Sequence, residues 1–164
     1  MVAPKTFLPD AAATLELGRA LAPCLEPGLI VYLRGELGAG KTTLVRGVLR
    51  GLGYAGAVRS PTYTLVELYA FSRLDLHHFD FYRFHDPREW IDAGFRESFN
   101  GHSVSLIEWP EKAAGSVPPA DLEITLEASG SGRNASFTYN SVRGQKCLAL
   151  LAERYRPTPS PSSS

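Results

Sequence analysis

Residues 29–42 read Leu-Ile-Val-Tyr-Leu-Arg-Gly-Glu-Leu-Gly-Ala-Gly-Lys-Thr, and they carry the strongest signal for the fold. Its first five residues are apolar without alternation, which is typical of a central parallel strand that is buried on both faces. After a glycine-rich turn, apolar residues recur at helical spacing at Leu44, Val45, Val48, Leu49 and Leu52. A helix is therefore predicted from Thr42 to Leu52, and Gly53 is expected to end it.

The loop between this strand and helix, Gly35 to Thr42, matches the pattern G-x-x-x-x-G-K-[S/T]. Glycines allow backbone N–H groups to turn inward around an anion, and the first helical turn adds four unpaired donors and the positive end of the helix dipole. In this geometry Lys41 would contact the β- and γ-phosphates of a nucleotide, Thr42 would bind Mg²⁺ and Thr43 would reach the α-phosphate. The alternative is a glycine-rich connector with an exposed lysine, which the flanking strand and helix disfavour. The predicted nucleotide-binding residues of the loop are Gly35, Gly38, Ala39, Gly40, Lys41, Thr42 and Thr43.

Two further apolar segments each end in a carboxylate: residues 76–80 end in Asp80, and residues 104–108 end in Glu108. Phosphoryl transfer requires a carboxylate that holds or orients Mg²⁺, usually from a strand end beside the loop, and a group that places the attacking water. We assign Glu108 to Mg²⁺, directly or through water, and Asp80 to the metal shell or to the water, with the two roles open to exchange. Either carboxylate alone is equally consistent with a solvated strand end. Together with Lys41, they are the predicted catalytic groups.

The rest of the pattern predicts one α/β domain, residues 1–156, in which helices flank a mixed β-sheet like that of P-loop NTPases. The predicted elements are a helix over residues 11–21 capped by Asp10, a hairpin over 64–71 and 76–82, a short helix over 86–91, a strand over 104–108, β segments over 122–127 and 135–140 around a loop at 128–134, and a helix over 145–155. Residues 157–164 contain only Pro, Ser and Thr and are predicted to be disordered.

The composition limits the function. The 164 residues carry 17 Lys and Arg against 17 Asp and Glu, so binding to nucleic acid mainly through phosphate neutralisation is not expected. No apolar run approaches the roughly 18–20 residues that cross a bilayer, and the first residues lack the apolar core of a secretory signal, so a cytoplasmic location without membrane contact is expected. Cys24 and Cys147 show no metal or redox spacing and are expected to be buried thiols. The guanine-recognising segment Asn-Lys-x-Asp does not occur, which favours ATP.

Three further blocks accompany the loop: residues 60–67 read Ser-Pro-Thr-Tyr-Thr-Leu-Val-Glu, residues 78–83 read His-Phe-Asp-Phe-Tyr-Arg, and residues 107–110 read Ile-Glu-Trp-Pro. In this order the blocks closely resemble the TsaE family, formerly called YjeE, over about Thr6 to Tyr155. The resemblance implies a bacterial cytoplasmic ATPase that is needed to make threonylcarbamoyladenosine in tRNA. It also implies that the protein is slow by itself, acts with the partners TsaB and TsaD, resets their complex between turnovers, and meets tRNA only through them.

The resemblance also implies roles for individual residues. Lys41, Thr42 and Thr43 match the phosphate and Mg²⁺ positions, and Asp80 and Glu108 match the essential acidic positions. Residues 60–62 match a switch-like segment that senses the nucleotide state. Further residues that the resemblance brings towards the nucleotide are Thr62, Trp109, Lys112 and Arg133. Glu36 and Phe81 stand where many relatives have Asp and Leu, which leaves the expected chemistry unchanged. The residues themselves favour packing or hydrogen bonding, rather than catalysis, for His78, Phe79 and Tyr82.

Two other functions remain open. A small-molecule kinase of the P-loop class would bind its acceptor near Asp80 and take its transition-state arginines from Arg83, Arg88 or Arg96, although the chain is short for an additional lid and acceptor domain. A nucleotide-sensing binding module would need Lys41 but neither Asp80 nor Glu108. Substitution of the two carboxylates therefore discriminates the binding module from an ATPase.

Overall fold

The computed structural model describes residues 5–59, 61, 65–84 and 95–156. Its strands and helices are β1 (Lys5–Leu8), α1 (Ala11–Leu21), β2 (Ile30–Arg34), α2 (Lys41–Gly51), β3 (Val66–Ala70), β4 (Asp75–Asp80), β5 (Ser103–Glu108), β6 (Leu122–Ser129), β7 (Gly132–Tyr139) and α3 (Val142–Arg154). Short 3-10 helices lie at Ala22–Cys24, Phe95–Ser98 and Pro110–Ala113. The predicted helix at 86–91, the tail at 157–164 and the switch residues Ser60 and Thr62 lie outside the described residues.

The strands form one seven-stranded mixed sheet in the order β1-β7-β6-β2-β5-β4-β3. β2 lies in the middle and runs parallel to β5 and β6, and β4 runs parallel to β5. The outer pairs, β3 with β4, β6 with β7 and β1 with β7, are antiparallel. The predicted α/β fold with a mixed sheet is therefore confirmed.

The register of the parallel strands brings three chain positions to one edge of the sheet. Leu33, just before the glycine-rich loop, pairs with Glu108 of β5, and Glu108 pairs with Asp80 of β4. Because parallel strands end on the same side, the loop after β2 and both carboxylates lie at the carboxyl edge, where open α/β sheets bind their ligands.

Helices α1 and α2 share a tight contact that fixes where α2 begins. A Cβ atom on Gly18 of α1 would clash with the backbone of α2 at Leu44, and one on Gly47 of α2 would clash with the backbone of α1 at Leu15. Only hydrogen atoms fit between the helices at this crossing, so no side chain separates the two backbones. Their apolar side chains form one core with the inner face of the sheet, including Leu17, Val31, Leu44, Val48 and Leu106.

The other face of the sheet carries a separate cluster that consists mainly of Phe79, Phe81, Phe84, Ile107 and Ala113. This cluster contains no residue of the three helices in the described ranges. The prediction that β2 is buried on both faces is therefore wrong: Val31 and Leu33 are buried, whereas Ile30, Tyr32 and Arg34 are only half-buried. On this face β2 is covered by the segment around Val117 and Pro118. The Tyr32 hydroxyl donates a hydrogen bond to the Pro118 carbonyl.

Most predicted elements are confirmed, with two corrections of boundaries. Asp10 caps α1 through a 2.8 Å bond from the Ala13 N–H, and β3 and β4 form the predicted hairpin. The loop predicted at 128–134 is wrong, because β6 and β7 pair up to Ser129 and Gly132 around a two-residue turn that contains Gly130 with φ +59°. α3 starts three residues earlier than predicted, since Ser141 caps it by accepting from the Gly144 N–H at 3.1 Å.

Two expectations from the composition can be compared with the structure. Cys24 and Cys147 are both buried and free, as predicted. None of the helices in the described ranges combines the length and apolarity needed to cross a bilayer.

Candidate functional site

Three glycines set the shape of the loop between β2 and α2. Gly35, Gly38 and Gly40 have φ values of +149°, +79° and +103°, a region that disfavours residues with a Cβ atom. At Gly35 a Cβ would also lie 2.6 Å from the Leu126 carbonyl oxygen. Gly40 is the N-cap of α2 and, since it has no side chain, makes no side-chain cap bond to the first turn of the helix. The amides at the start of α2 are therefore available to an anion in the loop.

Arg133 of β7 supports the loop from behind. Its Nε donates to the Ala39 carbonyl at 3.1 Å, and its Nη2 donates to the Gly38 carbonyl at 2.9 Å. These bonds hold two consecutive loop carbonyls towards β7. The sequence resemblance brought Arg133 towards the nucleotide; in the structure its guanidinium bonds the backbone of the loop, and the residue also lines a cavity of about 250 Å³ beside the loop.

Lys41 lies under the loop and is 5% exposed. Its ammonium group donates to the Gly35 carbonyl and sits 4.0 Å from the centre of the Trp109 ring, in a cation–π contact. Burial lowers the pKa of Lys41, and the nearby carboxylates of Glu108 and Asp80 oppose this shift. The lysine predicted to meet phosphates is thus held beside both predicted acidic residues.

Trp109 adopts a backbone conformation that is rare for a residue with a side chain. Its φ of 56° and ψ of 49° lie in the left-handed region, which costs about 1–2 kcal/mol outside glycine. Trp109 directly follows Glu108 and is the N-cap of the 3-10 helix Pro110–Ala113. The indole packs against Tyr82 at 5.0 Å between ring centres, and the Lys112 ammonium lies 5.7 Å from the centre of the Tyr82 ring. Lys112 therefore reaches this edge through Tyr82 rather than through the loop.

Asp80 and Glu108 end two adjacent strands and face the loop. Both carboxylates are almost fully buried, at 6% and 3% exposure, and both line a cavity of about 270 Å³. Loop and helix residues line the other side of this cavity: Leu37, Gly38, Gly40, Lys41, Thr42 and Thr43. Burial raises the pKa of Asp80, while the 3.0 Å bond from the Tyr82 N–H to its carboxylate favours the ionised form.

A further side chain of β4 joins this site. The Nε2 atom of His78 lies 2.5 Å from the Oε2 atom of Glu108, and both side chains are buried. The sequence favoured packing or hydrogen bonding for His78, but its partner was missed. Strand alternation was the available signal, because it puts His78 on the same face as Asp80, while His77 and Phe79 point to the opposite face.

The donor set suits a magnesium ion that arrives with a nucleotide. Within the described ranges, no group of three or more His, Cys, Asp and Glu side chains is arranged to hold a metal ion. Mg²⁺ is usually held by one or two carboxylates together with phosphate oxygens and water. The buried carboxylates of Asp80 and Glu108 and the hydroxyl of Thr42 around one cavity fit that pattern.

Some candidates are not brought to this site. Thr62 and Arg88 lie outside the described residues, as does the side chain of Arg96, and Arg83 is exposed. A larger open groove of about 760 Å³ runs between α1 and the end of α3, but it contains no loop residue and neither carboxylate. Among the described residues, the predicted phosphate-binding, metal-binding and catalytic side chains Lys41, Thr42, Thr43, Asp80 and Glu108 thus line the smaller cavity at the loop.

Comparison with known proteins gives one consistent result. The family model "Threonylcarbamoyl adenosine biosynthesis protein TsaE" matches residues 8–135. The chain is 41% identical over 151 residues to the tRNA threonylcarbamoyladenosine biosynthesis protein TsaE of Haemophilus influenzae, which covers 89% of this chain and 96% of that protein. It is 37% identical over 126 residues to the Bacillus subtilis protein of the same name, with coverage of 76% and 78%. The crystal structure of Bacillus subtilis YdiB matches with a TM-score of 0.78 at 29% identity, covering 91% of this chain and 93% of that one. This chain therefore belongs to the TsaE family of threonylcarbamoyl adenosine biosynthesis proteins.

Proposed function

We propose that this protein binds ATP on the loop at residues 35–43 and hydrolyses it to ADP and phosphate, in the cytoplasm, as its part in the tRNA threonylcarbamoyladenosine biosynthesis of its family. One observation carries the proposal. A buried lysine and two buried carboxylates surround the same cavity as the loop amides at the start of α2. Burying three ionisable groups costs stability, which favours a functional reason for their placement.

The residues of the loop divide the work of binding. The amides from Gly38 to Thr43 surround the phosphates, and Lys41 exchanges the Gly35 carbonyl for β- and γ-phosphate oxygens. The Thr43 hydroxyl donates to the α-phosphate. Arg133 keeps the loop carbonyls turned away from these anions.

The carboxylates divide the work of catalysis. Thr42, Glu108 and Asp80 are the groups that would hold Mg²⁺, which neutralises charge on the β- and γ-phosphates when it is bound. Glu108 and Asp80 also lie where they can accept a hydrogen bond from the attacking water. That water forms the new bond to the γ-phosphorus, and the bond to the bridging oxygen breaks, so ADP leaves with the electron pair.

The nucleoside has a neighbouring cavity available. A space of about 250 Å³ meets the loop at Gly38, Ala39, Gly40 and Thr43, and it continues between the loop, α1 and β7. Leu8, Ala11 and Thr14 line this space together with Asp10, whose Oδ1 atom already accepts from the Ala13 N–H. Since Thr43 is the residue proposed for the α-phosphate, the ribose and adenine are placed on this side.

The partner-dependent part of the proposal rests on family membership and on one connection in the fold. Leu65, with φ +69°, donates its N–H to the Pro61 carbonyl at 2.7 Å and accepts from the Asp80 N–H at 3.0 Å. These two bonds connect Pro61 of the switch-like segment, through Leu65, to the backbone of Asp80. We propose that TsaB and TsaD read the nucleotide state through this segment, that turnover is slow without them, and that tRNA is held by these partners.

The test is the rate of phosphate release, with and without the TsaB–TsaD complex. We expect slow Mg²⁺-dependent hydrolysis that the partners stimulate and that Asp80→Ala and Glu108→Ala each abolish. Lys41→Ala should act mainly on ATP binding, and Lys146→Ala on the exposed side of α3 is the matched control. Hydrolysis that survives both carboxylate substitutions would contradict the proposal. Transfer of the γ-phosphate to a metabolite, instead of to water, would favour the kinase.

A further inference from the structure

We propose that His78 is a positioning residue for Glu108: its Nε2–H fixes one oxygen of the carboxylate and leaves the other oxygen for the cavity. This inference rests on the proposed function, in which Glu108 serves Mg²⁺ or the attacking water. The hydrogen bond itself is a feature of the protein without ligand. It can therefore be tested separately from ATP hydrolysis.

The contact is a short hydrogen bond between a buried imidazole and a buried carboxylate. Nε2 of His78 and Oε2 of Glu108 are 2.5 Å apart, and the two side chains are 0% and 4% exposed. A hydrogen bond to an ionised group is shorter and roughly twice as strong as a neutral one, and burial removes the competition of water. The Glu108 side chain is therefore held to one orientation by a bond that solvent does not replace.

The surroundings also fix which nitrogen of His78 carries the proton. A carboxylate only accepts hydrogen bonds, so with Glu108 ionised we assign the proton of the pair to Nε2. Nδ1 is buried and has no hydrogen-bond partner among the residues described. A proton on Nδ1 would be an unpaired buried donor, whereas a bare nitrogen there costs less. His78 is thus held in the Nε2–H tautomer and acts as a donor to Glu108.

The fold explains why this histidine and not its neighbour has the role. Alternation along β4 points His78 to the loop face, and the β4–β5 register pairs His78 with Leu106, two residues before Glu108. His77 points to the other face, where its Nδ1 lies 3.1 Å from the Ser98 carbonyl oxygen. The two adjacent histidines are both buried on the same strand, so His77 provides a matched control for the loss of a buried imidazole.

Glu108 is free to use its second oxygen. Among the described residues, Oε2 is the carboxylate oxygen with a hydrogen-bond partner, and the side chain lines the cavity beside Thr42. Asp80 obtains its own support from the Tyr82 N–H, so loss of the His78 bond should leave Asp80 in place. Partners that orient a metal-binding carboxylate are typically worth about 10–100-fold in metal affinity or activity.

The experiment compares His78→Leu, His78→Gln and His77→Leu, in the wild type and in a Glu108→Gln background. Gln carries a donor near the position of Nε2 and should restore much of the effect. We expect His78→Leu to lower kcat and the Mn²⁺ affinity of the ADP complex about 10–100-fold while leaving metal-free ADP affinity unchanged. His77→Leu should leave both values near those of the wild type, and His78→Leu should have no added effect in the Glu108→Gln background.

A second measurement uses the nucleotide-free protein. In ¹⁵N spectra of the imidazoles we expect a protonated Nε2 and a bare Nδ1 for His78, with an Nε2–H signal that moves on Glu108→Gln, while the signals of His77 stay in place. These spectra also decide the matter if His78→Leu does not fold.

The outcomes separate this inference from the proposed function. If the wild type does not hydrolyse ATP but the spectra and the Mn²⁺ affinities behave as expected, the proposed function fails and the positioning role stands. If hydrolysis requires Glu108 while His78→Leu matches His77→Leu, the positioning role is overturned and the proposed function stands. A bare Nε2, or equal effects of His78→Leu with and without Glu108, would also overturn it.

Discussion

Substitutions of Arg133 test whether this residue acts on nucleotide binding by holding the loop or by touching the nucleotide itself. Its guanidinium donates to the Gly38 and Ala39 carbonyls at 2.9 and 3.1 Å. A hydrogen bond from a charged group contributes about 1.5–3 kcal/mol when it is buried. Arg133 is half-exposed, so we discount this to about 1 kcal/mol for each bond, or about 2 kcal/mol for both. If the bonds serve mainly to keep the loop in its binding conformation, Arg133→Gln should weaken ATP binding about 10–30-fold.

The variant Arg133→Lys tests the geometry. A lysine keeps the charge but lacks the planar fork that spans two carbonyls, so the loop-support account predicts that it loses nearly as much affinity as Arg133→Gln. The assay is calorimetric titration with ADP and Mg²⁺, with Arg143→Gln on α3 as a control. Full affinity in Arg133→Lys would show that charge near the nucleotide matters rather than the loop bonds, and full affinity in both variants would refute any role of Arg133 in binding.

Two further predictions concern stability. Gly47→Ala places a methyl group against the Leu15 backbone and should lower the free energy of unfolding by about 1–3 kcal/mol or more, seen as a lower Tm. The control is Gly101→Ala, because a Cβ atom added at Gly101 would meet no other part of the protein within 4 Å. Equal Tm values for the two variants would contradict the tight helix crossing. The second prediction concerns Asp80, whose pKa is raised above its usual value of 3.8 by burial. The native state therefore binds the proton of this carboxyl group more tightly than the unfolded state does. The free energy of unfolding consequently falls as the pH rises from about 4 through the raised pKa. Asp80→Asn should therefore raise Tm at pH 7 more than at pH 4, provided that the amide keeps the Tyr82 N–H bond; a gain that is the same at both pH values would contradict this reasoning.

The sequence predicts the centre of the fold well because the relevant signals there are local. A run of apolar residues, a glycine pattern and a helical repeat follow one another within residues 29–52. Each of these signals depends only on residues that are close together in the sequence. The carboxylates at positions 80 and 108 were predicted at strand ends beside the loop. That their strands are parallel neighbours is known only from the structure.

What the sequence could not provide depends on distant contacts. The partner of His78 is set by the register between β4 and β5, and the Arg133 bonds depend on where β7 meets the loop. The apolar run of β2 did not predict that Tyr32 would be half-exposed, because this depends on how far the segment near Pro118 extends over the sheet. Both strands extend into the loop predicted at 128–134, because β6 and β7 pair with each other there, and the pattern of a single strand does not show this pairing.

Calorimetric titration of the folded protein with a non-hydrolysable ATP analogue and Mg²⁺ tests whether the loop at residues 35–43 binds a nucleotide. We expect saturable binding of one nucleotide per chain, weakened about tenfold or more by Lys41→Ala, since this change removes the ammonium group beside the loop. Lys146→Ala should bind like the wild type. No measurable binding at millimolar nucleotide, or equal affinity in Lys41→Ala and the wild type, would rule out nucleotide binding by this loop.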